Sequence, residues 1–97
     1  MYLKIHRSVE GDEVVAVCDR ELINTTVSNG DIEVCISESF YGTRLATEEE
    51  VSTALDNAVN ANLMGSRVIA LAVARGFVDR DGCLMIGAVP HAQIIRM

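Results

Sequence analysis

The residues best suited to chemistry lie together near the C-terminus, in the run Gly87-Ala88-Val89-Pro90-His91-Ala92-Gln93. A neutral imidazole at His91 can act as a general base, bind a phosphate or donate a hydrogen bond to a base edge. Gln93 cannot transfer a proton, but its amide can orient a water or recognise another amide-like edge. Pro90, the chain's one proline, lacks a backbone donor and fixes its own φ. It therefore predicts a loop or sheet edge, not a central strand. We interpret the run as the rim of a binding surface first and an active site second; the alternative is that Pro90 and His91 only shape a tight loop.

Three other segments supply candidates for the same surface. Asn62 borders the apolar stripe of a predicted helix near its end, where its amide can join His91 or bond the helix's last carbonyls. Gly65 and Arg67 flank the start of the next predicted helix, where the first amides and an arginine can bind an anion. A simple helix cap is the alternative there. Tyr41 can stack on a base or belong to the core.

The sequence offers little for catalysis. No serine, threonine or cysteine has an evident base partner, and we assign no catalytic residue. Cys18, Cys35 and Cys83 are odd in number and widely spaced, which argues against a disulfide framework or a zinc site. The run 48–50 of three glutamates points to different faces of a helix, which suits capping better than metal binding. We expect no metal and no cofactor.

The elements that must position these residues follow from periodicity and turn signals. Thr47 begins a capping box with Glu50, and apolar residues from Val51 to Leu63 form one helical stripe. The predicted elements are strands at 2–7, 14–18, 32–36, 83–86 and 93–96, a helix after Thr47, and a second helix from Arg67 to Arg75. The order β-β-β-α-α-β-β predicts an α+β fold, a two-layer sandwich with a helix pair on one face of a mainly antiparallel sheet.

Length and composition bound the class of protein. At 97 residues, the chain is expected to form one domain over 1–97. Its hydrophobic content of 49% is rich for so small a domain and suggests that a second copy covers one apolar face. Its longest apolar stretch is too short for a membrane span, and residues 1–7 look like a strand rather than a signal peptide. We therefore predict a cytoplasmic homo-oligomer that does not contact a membrane.

Charge is distributed unevenly along the chain. The net charge is −6, but residues 1–60 carry twelve acidic and four basic side chains, whereas residues 61–97 carry two and four. The overall negative charge opposes non-specific binding to nucleic acid. The net-positive C-terminal third nevertheless leaves a local basic surface possible.

Four segments together resemble a known family: Val17-Cys18-Asp19, Phe40-Tyr41-Gly42, Ala61-Asn62-Leu63-Met64-Gly65 and the run 87–93. In their order and spacing they are similar to small archaeal proteins known only as a domain of unknown function, number 424. Met64 and Ala88 depart from the pattern we expect without touching a polar group. The resemblance implies an archaeal, cytoplasmic protein, gives no activity, and suggests an association with translation or ribosome maturation.

These observations favour a non-catalytic binding module that docks on RNA or a ribonucleoprotein. It would use the arginine-bearing C-terminal third with Asn62, His91 and Gln93. Two alternatives stay open: a small hydrolase-like enzyme with His91 as general base, and a structural subunit of a larger complex.

Overall fold

The structure, a computed structural model, describes residues 1–96 and is built on a five-stranded sheet with the order β1-β2-β5-β7-β6. Strands β2 and β5 are parallel, and the other neighbours in this sheet are antiparallel. The strands are β1 (Tyr2–Arg7), β2 (Glu13–Cys18), β3 (Thr25–Asn29), β4 (Ile32–Ile36), β5 (Asn60–Met64), β6 (Leu84–Ile86) and β7 (Val89–Ile95). The helices are α1 (Glu38–Tyr41), α2 (Glu48–Asn57) and α3 (Ser66–Ala74), with single 3-10 turns at Arg20–Leu22 and Arg80–Gly82. The predicted α+β class with a mainly antiparallel sheet is confirmed.

Helices α2 and α3 cover one face of this sheet. Their apolar residues and those of the facing strands form the main core: Val15, Val17, Val51, Leu55, Ala58, Ala61, Leu63, Val68, Ile69, Leu71, Ala72, Ala92 and Ile94. Side chains alternate between the two faces of a strand. Because Ala61 and Leu63 face the helices, Asn60 and Asn62 must face the other way. The same alternation along β7 turns His91 and Gln93 away from the helices.

The opposite face is partly covered by a hairpin of β3 and β4 together with α1. A second apolar cluster forms there from Ala16, Cys18, Ile36, Tyr41 and Met64. This cover adds a partial third layer to the two layers predicted from the sequence. Strand β2 is therefore buried on both faces, as its continuous apolar run predicts.

The capping box of α2 is confirmed. The Glu50 amide donates to Thr47 Oγ1 at 3.1 Å, and the Thr47 amide donates to Glu50 Oε1 at 3.2 Å. The predicted length of this helix is wrong, since α2 ends at Asn57 and residues 60–64 are strand β5. Asn60-Ala61-Asn62-Leu63 also fits a period of two, and pairing on both sides by β2 and β7 outweighs the helical pattern. Asn62 is thus a central-strand residue.

The position of Pro90 also corrects the prediction. Strand β7 begins at Val89, not at Gln93, and Pro90 lies between Met85 of β6 and the end of β5. The Pro90 carbonyl accepts a bond from the Gly65 amide at 2.9 Å, and the Gly65 carbonyl accepts from Ile69 of α3. The Gly65 carbonyl, which lies opposite the Pro90 nitrogen, therefore accepts its hydrogen bond from α3. The N–H that proline lacks leaves no acceptor unpaired at this position.

Strand β3 and helix α1 were not predicted. Four of the five β3 residues are exposed, so the strand has no apolar alternation to reveal it. A turn at Ser28-Asn29-Gly30-Asp31 joins β3 to β4, with Gly30 at φ 63°. Helix α3 matches its predicted position within one residue, and the Phe77 amide closes its end on the Ala72 carbonyl at 2.8 Å.

Candidate functional site

Three of the predicted site residues converge on the face of the sheet away from α2 and α3. Asn62 lies directly opposite Gln93 across β5 and β7. His91 Nε2 lies 3.2 Å from Asn62 Oδ1, and Gln93 Nε2 donates to Asn60 Oδ1 at 3.4 Å. We call these four residues the amide–imidazole stripe. Asn60 was not predicted as a site residue from the sequence. Its position two residues before Asn62 would have indicated that both side chains lie on the same face of a strand.

The stripe is a neutral hydrogen-bonding surface. Partial burial lowers the pKa of His91, which keeps its imidazole uncharged at neutral pH. On this face of the sheet, Cys18 of β2 lies opposite Met64 of β5, and Met64 lies opposite His91 of β7. Cys18 is therefore the nearest cysteine in register with His91, two strands away. Burial, and then the neighbouring Asp19, raise the pKa of the Cys18 thiol to about 11. That thiol is therefore protonated at neutral pH and unsuited to act as a nucleophile.

Gly65 serves the junction between β5 and α3. Its φ is 116°, and a Cβ at this position would lie 2.3 Å from Asp19 Cγ. Both features require glycine here. Gly65 therefore contributes close packing and the backbone bond to Pro90, while its lack of a side chain makes room for Asp19.

The anion site predicted at the start of α3 is already filled by the protein itself. Asp19, only 3% exposed, accepts from the Arg67 amide on Oδ2 at 3.0 Å and from the Val68 amide on Oδ1 at 2.8 Å. The helix dipole and its first amides thus act on an internal carboxylate. Asp19 was not predicted as a partner, because its approach depends on β2 and β5 being parallel neighbours.

Tyr41 is not part of a binding surface. It is 4% exposed, packs edge-on against Phe40 with ring centroids 4.9 Å apart, and belongs to the second apolar cluster. Burial raises the pKa of its hydroxyl to about 12, with a smaller contribution from Cys18. The alternative of a core residue is confirmed, and the predicted role in stacking on a base is wrong.

The Arg67 side chain lines a cleft on the helix layer, away from the stripe. This cleft, which we call the arginine cleft, has a volume of about 800 Å³. Its lining residues are Met1, Arg20, Leu45, Ala46, Thr47, Glu48, Arg67, Ala70, Leu71, Ala74 and Arg75. Arg20 was not predicted as a site residue, because 47 positions separate it from Arg67 and only the fold brings them together. Arg75 was predicted only as one member of the arginine-bearing C-terminal third.

The arginines of the cleft are only weakly engaged. Arg67 Nε lies 3.4 Å from Glu21 Oε1, and Arg75 Nη2 lies 3.4 Å from Glu49 Oε1. All four side chains are at least 40% exposed, and exposed pairs of this kind contribute little stability. Both guanidinium groups can therefore exchange these partners for a bound anion.

The remaining arginines of the C-terminal third do not join this surface. Arg96 Nη1 donates to the carbonyls of Leu55, Asp56 and Ala58 at 2.8 to 3.0 Å and thereby caps the end of α2. Arg80 is exposed in a separate 3-10 turn. The positive charge of the C-terminal third is therefore distributed over separate parts of the surface. Within residues 1–96, no group of three His, Cys, Asp or Glu side chains is placed to hold a metal.

The fold and these surfaces define a small α+β protein with a neutral polar stripe on one face and an arginine-lined cleft on the other. The chain belongs to the family described as a protein of unknown function (DUF424), whose model matches residues 6–97. It is similar to an uncharacterized conserved protein from Methanopyrus kandleri, with a TM-score of 0.76 and 26% identity over 99% of this chain and 92% of that one. No curated protein matches the chain significantly. Among residues 1–96, no helix has the length and apolar character needed to cross a membrane.

Proposed function

We propose that this protein is a non-catalytic binding module that docks on RNA or a ribonucleoprotein in the cytoplasm through the arginine cleft. The observation that carries the proposal is the meeting of Arg20, Arg67 and Arg75 around one cavity of about 800 Å³. Arginine suits phosphate because its planar group donates two parallel hydrogen bonds. A cavity of this size also lies in the range of ordinary ligand sites.

The negative net charge makes this local clustering necessary. A chain at −6 repels a polyanion at long range, so binding must depend on a few close phosphate contacts. Three guanidinium groups on one cleft provide such contacts. We therefore expect affinity to fall steeply with salt, with a slope set by three contacts and not by the overall charge.

The amide–imidazole stripe supports a binding role over a catalytic one. Its donors and acceptors are neutral at physiological pH and suit hydrogen bonds to base edges or to amides of a partner protein. It lies on the other side of the sheet from the cleft, so a ribonucleoprotein could be held by both faces. The stripe alone would give binding that is insensitive to salt.

Binding to total archaeal RNA or ribosomes, measured by fluorescence anisotropy or sedimentation against salt concentration, tests the proposal. Each of Arg20→Gln, Arg67→Gln and Arg75→Gln should lower the slope of log affinity against log salt by about 0.7 to 0.9. Arg80→Gln is the matched control, since Arg80 is exposed but lies outside the cleft. No binding at any salt concentration, or equal losses for the Arg80 variant, would reject the proposal.

A hydrolase-like enzyme with His91 as general base is a second candidate. It is favoured by the contact of 3.2 Å between His91 Nε2 and Asn62 Oδ1, because a base of this kind is usually oriented by a third group. Hydrolysis of ester and phosphoester probes by the wild type but not by His91→Gln would support it. Activity unchanged in His91→Gln would remove it.

Self-association is proposed for the edge strand β6 and the part of β7 that extends beyond it. Leu84, Met85 and Ile95 are 69%, 55% and 66% exposed, and β6 is an edge strand whose open side can pair with another chain. Light scattering should give a dimer mass or larger, and Met85→Lys should shift it toward the monomer. A monomer at every concentration would remove the support for both an oligomer and a structural subunit.

A further inference from the structure

We propose that the arginine cleft receives one nucleotide unit of an unpaired strand, with its phosphate at the end lined by Arg20 and Arg67 and its base toward Thr47 and Glu48. The inference rests on the proposed function and deepens it by naming the chemical group that the cleft recognises. The phosphate-bearing nucleoside could be a free nucleotide or part of single-stranded RNA. The tests below separate the two sources.

The charges divide the cleft into two unlike ends. Arg67 pairs with Glu21, the chain neighbour of Arg20, so two arginines line the end near the start of α3 and one glutamate lies beside it. Arg75 pairs with Glu49, the neighbour of Glu48, so one arginine and one glutamate line the far end and a second glutamate lies beside it. A phosphate is therefore favoured more strongly at the first end than at the second.

Apolar residues line the cleft between the two ends. Ala70, Leu71 and Ala74 of α3 form one side, and Met1, Leu45 and Ala46 line the cleft as well. Arg67 lies in the first turn of α3 and Arg75 directly follows its last residue, eight positions later, which separates them by about 12 Å along the helix axis. A cleft of this span and of about 800 Å³ has enough volume for a ribose and a base.

This shape selects an unpaired strand. In a duplex the base faces are stacked on one another, and a protein meets mostly phosphates and sugar hydroxyls. The phosphates and sugar hydroxyls of a duplex could reach Arg20 and Arg67, but no base would then pack against the apolar walls of the cleft. A single strand can place one base between the walls and one phosphate on the arginines, as single-strand binders do with other flat surfaces.

Glu48 gives the base end a chemical preference. Its carboxylate is exposed and lines the cleft, and an ionised carboxylate can only accept hydrogen bonds. Adenine and cytosine offer an exocyclic amino group as donor, whereas the N3–H donor of an unpaired uracil lies between two carbonyl oxygens that a carboxylate repels. We therefore expect the cleft to prefer AMP and CMP over UMP.

Calorimetric titration of the whole chain tests the inference with defined probes: AMP, CMP, UMP, adenosine, inorganic phosphate, a single-stranded RNA and the same RNA in a duplex. The single strand should bind at least about tenfold more tightly than the duplex, and AMP should displace it. Adenosine and inorganic phosphate, which each lack half of the ligand, should bind more weakly than AMP. If AMP binds but does not displace the strand, the ligand is the free nucleotide, and the inference of a strand in the cleft is overturned.

Variants assign the two ends. Arg67→Gln should weaken AMP and the single strand alike, Glu48→Gln should reduce the preference for AMP over UMP, and Arg80→Gln should change neither. Equal affinity for duplex and single strand, with no effect of AMP, would overturn this inference and leave RNA docking intact. Failure of every RNA probe to bind would instead reject the proposed function together with it.

Discussion

Asp19 Oδ1 accepts a hydrogen bond of 2.8 Å from the backbone amide of Val68, across 49 positions of the chain. The second oxygen of the same carboxylate accepts from the Arg67 amide. A residue at the end of β2 thus caps a helix that begins after β5. This contact ties the two parallel central strands to α3 and orients the wall of the arginine cleft.

Replacement of Asp19 should destabilise the fold. Asp19→Ala leaves one buried and one partly buried amide at the start of α3 without an acceptor, and we expect a loss of about 2–4 kcal/mol in the free energy of unfolding. Asp19→Asn keeps one acceptor oxygen and should lose less. Urea denaturation measures both, with the exposed Asp81→Ala as control. An Asp19→Ala loss no larger than that of the control would contradict the capping role.

Gly65→Ala should be more harmful than the same change at another left-handed glycine. Its Cβ would meet the Asp19 side chain, whereas a Cβ at Gly76, with φ 78°, would meet nothing within 4 Å. Gly76→Ala should cost about 1–2 kcal/mol for the backbone conformation alone, and Gly65→Ala should cost clearly more. In the double variant Asp19→Ala/Gly65→Ala, the two losses should not add fully, because the first change removes Asp19 Cγ and Oδ2, the two atoms nearest to the new Cβ, and leaves only the Asp19 Cβ at 2.7 Å. Additive losses in urea denaturation would show that the two positions are independent.

The stability of the protein should depend on His91 below neutral pH. Its folded-state pKa lies below the ordinary value of 6.5 because of burial, so the unfolded chain binds the proton more readily. Full stability is then present above pH about 6.5 and declines as pH falls from there through the folded-state pKa. Unfolding free energies between pH 7.5 and pH about 5 should fall less for His91→Gln than for the wild type. Parallel pH profiles of the two proteins would contradict this assignment.

Arg96 should stabilise α2 by capping the C-terminal end of this helix. One nitrogen of its guanidinium group donates to the carbonyls of Leu55, Asp56 and Ala58 at the end of the helix, where the Leu55 carbonyl also accepts a long bond of 3.4 Å from the Ala58 amide. Arg96→Ala should therefore cost about 1.5–3 kcal/mol, as for other hydrogen bonds to charged groups. Arg80→Ala, from an exposed turn, should change stability by less than about 0.5 kcal/mol. Thermal unfolding of both variants decides the point, and equal melting temperatures would reject the capping role of Arg96.

Several local features were correctly predicted because their signals lie within one element. The capping box of Thr47 and Glu50 depends on residues three positions apart. Helix α3 is marked by a continuous apolar segment and a glycine stop, and β2 by an apolar run of strand length. In each case, the interactions that define the element are local or depend only on burial.

The errors arose where partners distant in the chain decide the conformation. Residues 60–64 fit both a helical stripe and a strand, and pairing with β2 and β7 selected the strand. Pro90 was excluded from the sheet interior on its missing donor, yet the Gly65 carbonyl opposite bonds α3 instead. Strand β3, largely exposed, showed no pattern at all.

For this protein, the sequence by itself determined the α+β class, the family resemblance, and the polar character of Asn62, His91 and Gln93. Only the tertiary structure decided that these three share a face while Tyr41 lies in the core. It also decided that Asp19 fills the predicted anion site and that Arg20, Arg67 and Arg75 meet around one cleft. The physical reason is that composition and periodicity report local preference and burial. A run such as Gly87 to Gln93 gains its neighbours only when strand order and register are set by contacts across the whole chain.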